Sequence, residues 1–282
     1  MKKGFVAIIG VLISFSAFGQ KMPSDYFDEA SKYFEKKKYD DALNAFQYIV
    51  DNHPNNELYS KAFYNVGCIY LIEKNYEKAI FVFKAILESN FNEKENLGGD
   101  IMADPYTNYK HRASSILSNI YYEKDMFDTA LYYLALSDTV YPYLHFCGNE
   151  LSENEIYTAL KYADIYQKLN QPDKAIEKLL PTVFITRYAD NSKVIEELKK
   201  LLKNKKGLKK ELDKSLAKIY PREIIGESRS YTRYYFKFFN VEIAVPGSYE
   251  DEKHKFDNEK AINGIKETVF YKMIEKFKIT KE

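Results

Sequence analysis

The chain is poor in the residues that most catalytic and metal sites require. It has 282 residues but no tryptophan, two cysteines and four scattered histidines: His53, His111, His145 and His254. No spacing of His, Cys and Asp matches a zinc site, and Asp100 and Asp104 are too sparse for a calcium loop. Gly98-Gly99 is not part of a glycine-rich phosphate-binding motif, and the sequence contains no G-x-S-x-G motif of a catalytic serine. We therefore expect no metal, no cofactor and no catalytic residue.

The chain also lacks an excess of charge of either sign. Its formal net charge is +1, which gives no global attraction to nucleic acid or to a membrane. Two cysteines, Cys68 and Cys147, do not make a disulfide framework. Whether they pair stays open at this point, because they could equally be two small buried apolar residues.

Long apolar runs are missing except at the start of the chain. Lys2 and Lys3 precede the run from Phe5 to Phe15, and Ala17-Phe18-Gly19 follows it. This order is typical of a secretory signal peptide, and the run is short against the roughly 20 residues of a membrane span. We predict a signal peptide at 1–19 and an exported protein, periplasmic or extracellular, without a lipoprotein cysteine or a later transmembrane segment. An uncleaved anchor is the alternative.

A motif occurs four times in the chain. "KYDDA", "NYEKA", "MFDTA" and "QPDKA" each place a ring and an acid before an alanine, at Ala42, Ala79, Ala130 and Ala175. A tyrosine stands nine residues before each alanine: Tyr33, Tyr70, Tyr121 and Tyr166. A large apolar residue stands four residues after it: Phe46, Phe83, Leu134 and Leu179. We interpret each copy as a helical hairpin that turns at the ring and acid, with the alanine where the two helices approach closely.

This pattern resembles the tetratricopeptide repeat family, of the exported bacterial cell-envelope type, over roughly Asp25 to Thr186. The second copy is the best match, and the residues that the resemblance assigns to repeat packing are Ala30, Tyr33, Ala42, Phe46, Gly67, Tyr70, Ala79, Phe83, Tyr121, Ala130, Ala163, Tyr166 and Ala175. The alanines are 37, 51 and 45 residues apart, whereas the family repeats about every 34. The additional residues require loops or longer helices, and 90–110 and 143–155 are the candidate loops.

Downstream of the repeats the pattern changes twice. Residues 191–222 are predicted to be helical, with lysines crowded between 199 and 210. Thr232 to Phe238 and Val241 to Val245 alternate like two strands of a hairpin without a clean two-residue turn, and an amphipathic helix follows. The predicted fold is mostly α: a helical-hairpin solenoid with a small C-terminal α+β module. The domains are the signal peptide at 1–19, about four repeats at 20–189, a basic helical extension at 190–222 and a capping module at 223–282.

The resemblance implies a scaffold that binds a protein or peptide partner in a concave groove, in cell-envelope assembly or maintenance. The groove residues that it implies are Phe27, Phe34, Lys61, Tyr64, Arg112, Asn119, Tyr122 and Tyr157. Family members that grip carboxyl termini of chaperones carry Lys and Asn where Phe27 and Ser31 stand here, so that clamp is not expected.

Two further surfaces are predicted. Arg233, Tyr235 and Lys237 would make contacts at an exposed strand edge, and the lysines of 199–210 would meet an anionic envelope surface; a solvated helix face is the alternative for these lysines. Nucleic acid is not expected as a partner. The second function hypothesis is a ligand-binding or enzymatic module in the C-terminal third, to which Arg233, Tyr235 and Glu242 would contribute.

Overall fold

The computed structural model describes residues 21–95, 106–145, 148–187, 189–225, 230–251 and 254–279. The chain divides into two compact units, one up to Val82 and one from Phe83 onward. The division falls inside a helix. Each unit is treated separately below.

The first unit is built from antiparallel helices. It contains α1 (Pro23–Glu35), α2 (Tyr39–Asn52), α3 (Tyr59–Ile72) and the first part of α4 (Tyr76–Glu88). Small side chains sit where the helices are closest, and Ala30, Ala42, Ala62 and Ala79 have no exposed surface. Large apolar side chains one turn away, such as Phe46, fill the space beside them because residues four apart share a helix face.

The turns of the hairpins have one geometry throughout the chain. In each, the amide of the residue before the second helix donates to the carbonyl of the repeat tyrosine, at 2.8–2.9 Å: Lys38 to Tyr33, Asn75 to Tyr70, Met126 to Tyr121 and Gln171 to Tyr166. The residue in between has a left-handed backbone: Lys37, Lys74, Asp125 and Asn170. This is the Schellman motif. The expectation that the ring and acid form the turn is therefore wrong, because the ring is the first residue of the second helix.

The second unit continues with two further hairpins and two basic helices. These are α5 (Tyr109–Glu123), α6 (Phe127–Ala135), α7 (Gly148–Lys168), α8 (Pro172–Leu179), α9 (Ser192–Leu202) and α10 (Leu208–Leu216). A π-helical turn, Leu136–Val140, extends α6, and a 3-10 turn, Leu180–Thr182, follows α8. Part of the predicted loop at 143–155 is helix, because α7 begins at Gly148. Of the loop at 90–110, residues 96–105 lie outside the described residues.

The chain then forms a three-stranded antiparallel sheet and two more helices. The strands β1 (Tyr220–Ile225), β2 (Ser230–Phe238) and β3 (Val241–Glu250) lie in sequence order, and α11 (Asn258–Lys266) and α12 (Val269–Ile279) follow. The prediction of helix up to 222 is wrong at its end, since Tyr220 already pairs with Tyr235 across the sheet. Pro221 cannot donate a ladder hydrogen bond, which fits its place on an edge strand.

A two-residue turn joins β2 to β3. Phe239 and Asn240 both have positive φ, 51° and 59°, between the paired residues Phe238 and Val241. Positive φ at both positions is the signature of a type I′ turn. The sequence did not predict this turn because phenylalanine rarely adopts a backbone conformation with positive φ.

One core joins the second half of this unit. It contains apolar residues of α7, α8, α9 and α10, one face of the sheet, and α11 and α12. Phe236, Phe238 and Phe270 are its largest fully buried side chains, and the rings of Phe238 and Phe270 meet edge to face at 6.2 Å. The predicted fold, a helical-hairpin array with a small C-terminal α+β module, is confirmed. None of the described helices is both long and apolar enough to cross a membrane.

Candidate binding surfaces

The groove residues predicted in the first unit are half-buried and in part used by the fold. The ring of Phe27 packs edge to face on buried Phe46 at 5.2 Å, and Phe34 packs on Tyr39 at 5.6 Å. The hydroxyl of Ser31 donates to the Phe27 carbonyl at 2.9 Å. Phe27 and Phe34 therefore stabilise the first hairpin. Lys61 and Tyr64 lie half-buried on α3.

In the second unit, α5 and α7 bring three predicted groove residues together. The amide of Asn119 on α5 donates to the hydroxyl of Tyr157 on α7 at 3.5 Å. Lys161, one turn beyond Tyr157, holds its ammonium 5.7 Å from the Tyr157 ring and 5.9 Å from the Tyr122 ring. We call Asn119, Tyr122, Tyr157, Lys161 and Asp164 the α5–α7 patch.

The two tyrosines of the α5–α7 patch differ in their surroundings. Partial burial and then a hydrogen bond with Asp164 raise the pKa of Tyr122 to about 12. Tyr157 remains 43% exposed. Sequence reasoning missed Lys161, although its position four residues after Tyr157 predicted the same helix face.

Arg112 has a local role in the structure. It lies in the first turn of α5, and its Nε donates to the carbonyl of Thr107 at 2.9 Å. Thr107 and Asn108 just before α5 are buried, and the Asn108 amide donates to the Leu144 carbonyl at 3.0 Å. The guanidinium of Arg112 is thus oriented by the chain segment that enters the helix.

The prediction of a strand edge is wrong for Arg233 and Tyr235. Both pair with β1 on one side and with β3 on the other, so neither has an open hydrogen-bonding edge. Lys237 pairs with Glu242 of β3 but lies beyond the end of β1, and its strand-edge contact stays a prediction. The alternation does place the three side chains on one face, because successive residues of a strand point to opposite sides. The opposite face carries Phe236 and Phe238 into the core.

Part of that outer face forms one wall of a cleft, which we call the α7–sheet cleft. Its volume is about 500 Å³. The sheet contributes Arg233, Tyr235 and Glu242, while α7 contributes Glu155, Thr158 and Tyr162; Asp138 and Lys178 are among the other polar residues of the lining. Sequence reasoning named only the sheet residues, since nothing in the pattern indicated which helix face would lie opposite them.

Several ionic groups of the α7–sheet cleft lie beside a polar or aromatic partner. Glu242 accepts from Tyr220 at 2.6 Å and pairs with Arg222, and these hydrogen bonds lower the pKa of Glu242. On the other wall, Lys178 holds its ammonium 3.9 Å from the Tyr162 ring. Burial and then the negative charge of Asp138 raise the pKa of Tyr162.

Glu155 and Arg233 belong to neither of these groups. Within the part of the chain that the structure describes, neither forms a hydrogen bond or an ion pair within 4.0 Å. Glu155 is accessible to water yet enclosed by the walls of the cleft, and this desolvation raises the pKa of its carboxyl, while the positive charges of Arg233 and His145 lower it. The two groups therefore interact across the cleft without touching.

The lysine-rich stretch is partly neutralised. Lys200 pairs with Glu197 at 2.6 Å, Lys205 with Asp173 at 2.7 Å and Lys209 with Asp213 at 2.8 Å. The other lysines of the predicted anionic contact are Lys199, Lys203, Lys206 and Lys210.

Histidine and cysteine offer no metal site in the described ranges, which hold no group of three or more His, Cys, Asp or Glu side chains suited to one. The Nδ1 of His111 lies 3.0 Å from the carbonyls of both Ser137 and Tyr141, where it ties α5 to the π-helical turn. Cys68 is half-buried, and Cys147 lies outside the described residues, so the question of whether they pair stays open.

Comparisons with known proteins identify the repeats. Family models described as tetratricopeptide repeat match residues 30–56 and 60–93. Among solved structures, the chain is similar to MamA, residue 41 to the end, from Desulfovibrio magneticus RS-1, with 14% identity over 64% of this chain and 83% of that chain and a TM-score of 0.45. It is also similar to a thermophilic TPR protein of Thermus thermophilus, with 18% identity, 70% and 87% coverage and a TM-score of 0.36. No curated protein matches the chain in sequence. The first two copies of the motif thus match tetratricopeptide repeats, which are typical of interaction scaffolds.

Proposed function

We propose that the protein is an exported repeat scaffold that binds a protein or peptide partner through the first helices of its repeats, with the α5–α7 patch as a principal contact. The observation that carries this proposal is the exposed ring of Tyr157, held by Asn119 and flanked by Lys161. A tyrosine fixed in place before binding loses little conformational entropy when a partner arrives.

The chemistry of the α5–α7 patch fits an extended or helical peptide with polar and apolar side chains. Tyr122 and Tyr157 supply ring surface, Asn119 supplies an amide, and Lys161 and Asp164 supply one charge of each sign. Tyrosines are enriched among the residues that dominate binding energy. The mixed charge selects no strongly acidic or basic partner.

Site-specific crosslinking tests the proposal. A photoreactive phenylalanine analogue at position 157 should capture a discrete partner from an extract of the source cells. The matched control is position 132, because Tyr132 is a tyrosine of the preceding repeat that is 58% exposed on α6. The second substitution Tyr122→Ala should weaken capture at 157 by about tenfold or more, the scale of a binding hot spot. Equal capture at 157 and 132, or capture that Tyr122→Ala leaves unchanged, would contradict the proposal.

Export and a role in cell-envelope assembly or maintenance are part of the same proposal. Their support is the charged start, apolar run and small-residue site of residues 1–19. Fractionation of cells that express the full chain tests it: the protein should appear outside the cytoplasm and begin near Gln20. A cytoplasmic protein that retains its first nineteen residues would overturn this part alone.

The lysines at 199–210 remain a predicted weak contact with an anionic envelope surface. Their support is weaker than that of the α5–α7 patch, because three of them already pair with acids and exposed lysines are common on protein surfaces.

A second candidate function is a ligand-binding module in the C-terminal part. The α7–sheet cleft favours it, since polar groups of the repeats and of the sheet converge on one enclosed space. Clefts of this size are typical of small-molecule sites.

A further inference from the structure

The α7–sheet cleft holds a carboxylate and a guanidinium on opposite walls, Glu155 on α7 and Arg233 on β2. Its other ionic groups lie beside partners: Glu242 pairs with Tyr220 and Arg222 on the sheet. On the repeat side, Lys178 lies over the ring of Tyr162, and Asp138 raises the pKa of that tyrosine. Both side chains, Glu155 and Arg233, are exposed to water, so a ligand can reach them, and opposite charges on its two ends would pair with both.

The positions of both groups are fixed by regular secondary structure. Glu155, Thr158 and Tyr162 lie on one face of α7, three or four residues apart. Arg233 lies on the central strand of the sheet, where pairing on both sides holds its backbone. Its guanidinium lies 5.9 Å from the Tyr235 ring, which orients it without using its forked hydrogen-bond donors. Sites built on helices and strands hold ligands with more precise geometry than sites on loops.

The rest of the lining determines the size and polarity of a ligand. Apolar surface comes from Leu151, Ala159, Ile185 and Ala244, and hydroxyl groups come from Thr158 and Tyr235. A cleft of about 500 Å³ lies in the range of small-ligand sites, roughly 300–1,000 Å³. The ligand must therefore be small, carry both an anion and a cation, and have a modest apolar body.

We propose that the α7–sheet cleft binds a short free peptide as a zwitterion, with its carboxylate on Arg233 and its ammonium on Glu155. Guanidinium groups pair with carboxylates through two parallel hydrogen bonds, and an ammonium donates charge-assisted hydrogen bonds to a carboxylate such as that of Glu155. This site is separate from the α5–α7 patch, which lies on another face of α7, and it does not depend on the proposed protein partner.

Titration calorimetry of the purified chain with trialanine tests the proposal. We expect saturable binding that Arg233→Gln and Glu155→Gln each weaken by about tenfold or more, since one charge-assisted hydrogen bond contributes at least that much. Matched controls are Lys237→Gln on the same strand and Glu153→Gln on the same helix, both of which are exposed and outside the lining of this cleft. These two variants should bind as the unmodified chain does.

Capped peptides distinguish the source of the ligand. N-acetyl-trialanine lacks the ammonium and trialanine amide lacks the carboxylate, so each should bind more weakly by about tenfold or more. Full binding of the N-acetylated peptide would indicate the carboxyl end of a longer chain, and full binding of the amide an amino end; either result would overturn recognition of a free zwitterion. Absence of saturable trialanine binding to a folded chain, verified by its thermal melting curve, would also overturn the proposal.

Discussion

At the scale of single residues, the four repeat turns use a backbone that glycine normally supplies. Lys37, Lys74, Asp125 and Asn170 have φ between 55° and 57°, a region that costs an L-residue with a Cβ about 1–2 kcal/mol. The motif persists because each turn satisfies two carbonyls at the end of a helix. These positions are thus local sites of strain that the surrounding hairpin imposes.

Replacing one of these residues by glycine should stabilise the protein. We expect Lys74→Gly to raise the free energy of unfolding by about 0.5–1 kcal/mol, because relief of the left-handed strain exceeds the entropy that glycine adds to the unfolded chain. Urea unfolding measures it. The control is Glu73→Gly, at a residue whose backbone is right-handed, with φ −75°. This variant should lower the free energy of unfolding by a similar amount. A loss in both variants would refute this account of the turn.

Glu155 makes a second prediction at this scale, which concerns pH. Enclosure raises the pKa of its carboxyl, so the folded state disfavours the charged form. Its contribution to stability is therefore greatest below the ordinary glutamate pKa and is lost as the pH rises through the raised value. Glu155→Gln should melt at a higher temperature than the unmodified chain at pH 7, and the difference should shrink toward pH 4. Glu153→Gln controls for the loss of one negative charge. A difference independent of pH would contradict the prediction.

At the scale of helices and strands, sequence periodicity predicted most of what forms. The spacing of tyrosine and alanine predicted the hairpins because it reports helix faces directly. The strand β1 was missed because Tyr220 to Ile225 includes a proline and two charges, a composition typical of an edge strand. The turn at Phe239-Asn240 was missed because its residues are not those that type I′ turns prefer.

The residue at the start of α6 gives a prediction about the stability of a helix. Asp257 caps α11 by accepting from the Lys260 amide at 2.9 Å, whereas Met126, at the cap position of α6, has no such acceptor and is 45% exposed. Met126→Asp should stabilise the protein by about 1 kcal/mol, because the carboxylate can accept from a free amide and favours the positive end of the helix. Chemical denaturation of this variant beside Met126→Leu measures it; equal stability of the two would argue against a missing cap.

The candidate sites could be predicted only in part, for a reason that lies in α7. Tyr157, Lys161 and Asp164 lie on one face of this helix, and Glu155, Thr158 and Tyr162 lie on another. The repeat resemblance indicated the first face. The second face lines a cleft only because β2 lies opposite it, and β2 comes more than sixty residues later in the chain. A sequence pattern does not show which helix face lies opposite which strand.

At the scale of the whole second unit, the repeats and the C-terminal module share one core. The predicted domains separate 20–189 from 223–282, yet Leu179 and Val183 belong to the same buried cluster as Phe236 and Ile274. Terminal repeats expose an apolar face that another element must bury. Here the C-terminal sheet and helices bury it, and their side chains form one core with those of the fourth repeat. Stability of the fourth repeat should therefore depend on the sheet and the last helices.

Truncating one aromatic side chain of that core tests this dependence. Phe270 is 1% exposed and meets the rings of Phe184 at 5.9 Å and Phe238 at 6.2 Å, so Phe270→Ala should cost about 3–5 kcal/mol. Hydrogen exchange should show lower protection in α8 as well as in the sheet. The neighbouring Val269→Ala, at a residue that is 70% exposed, should change stability by less than about 0.5 kcal/mol. If Phe270→Ala loosened the sheet and left α8 as protected as before, the fourth repeat would be stable on its own and the shared core would not be one cooperative unit.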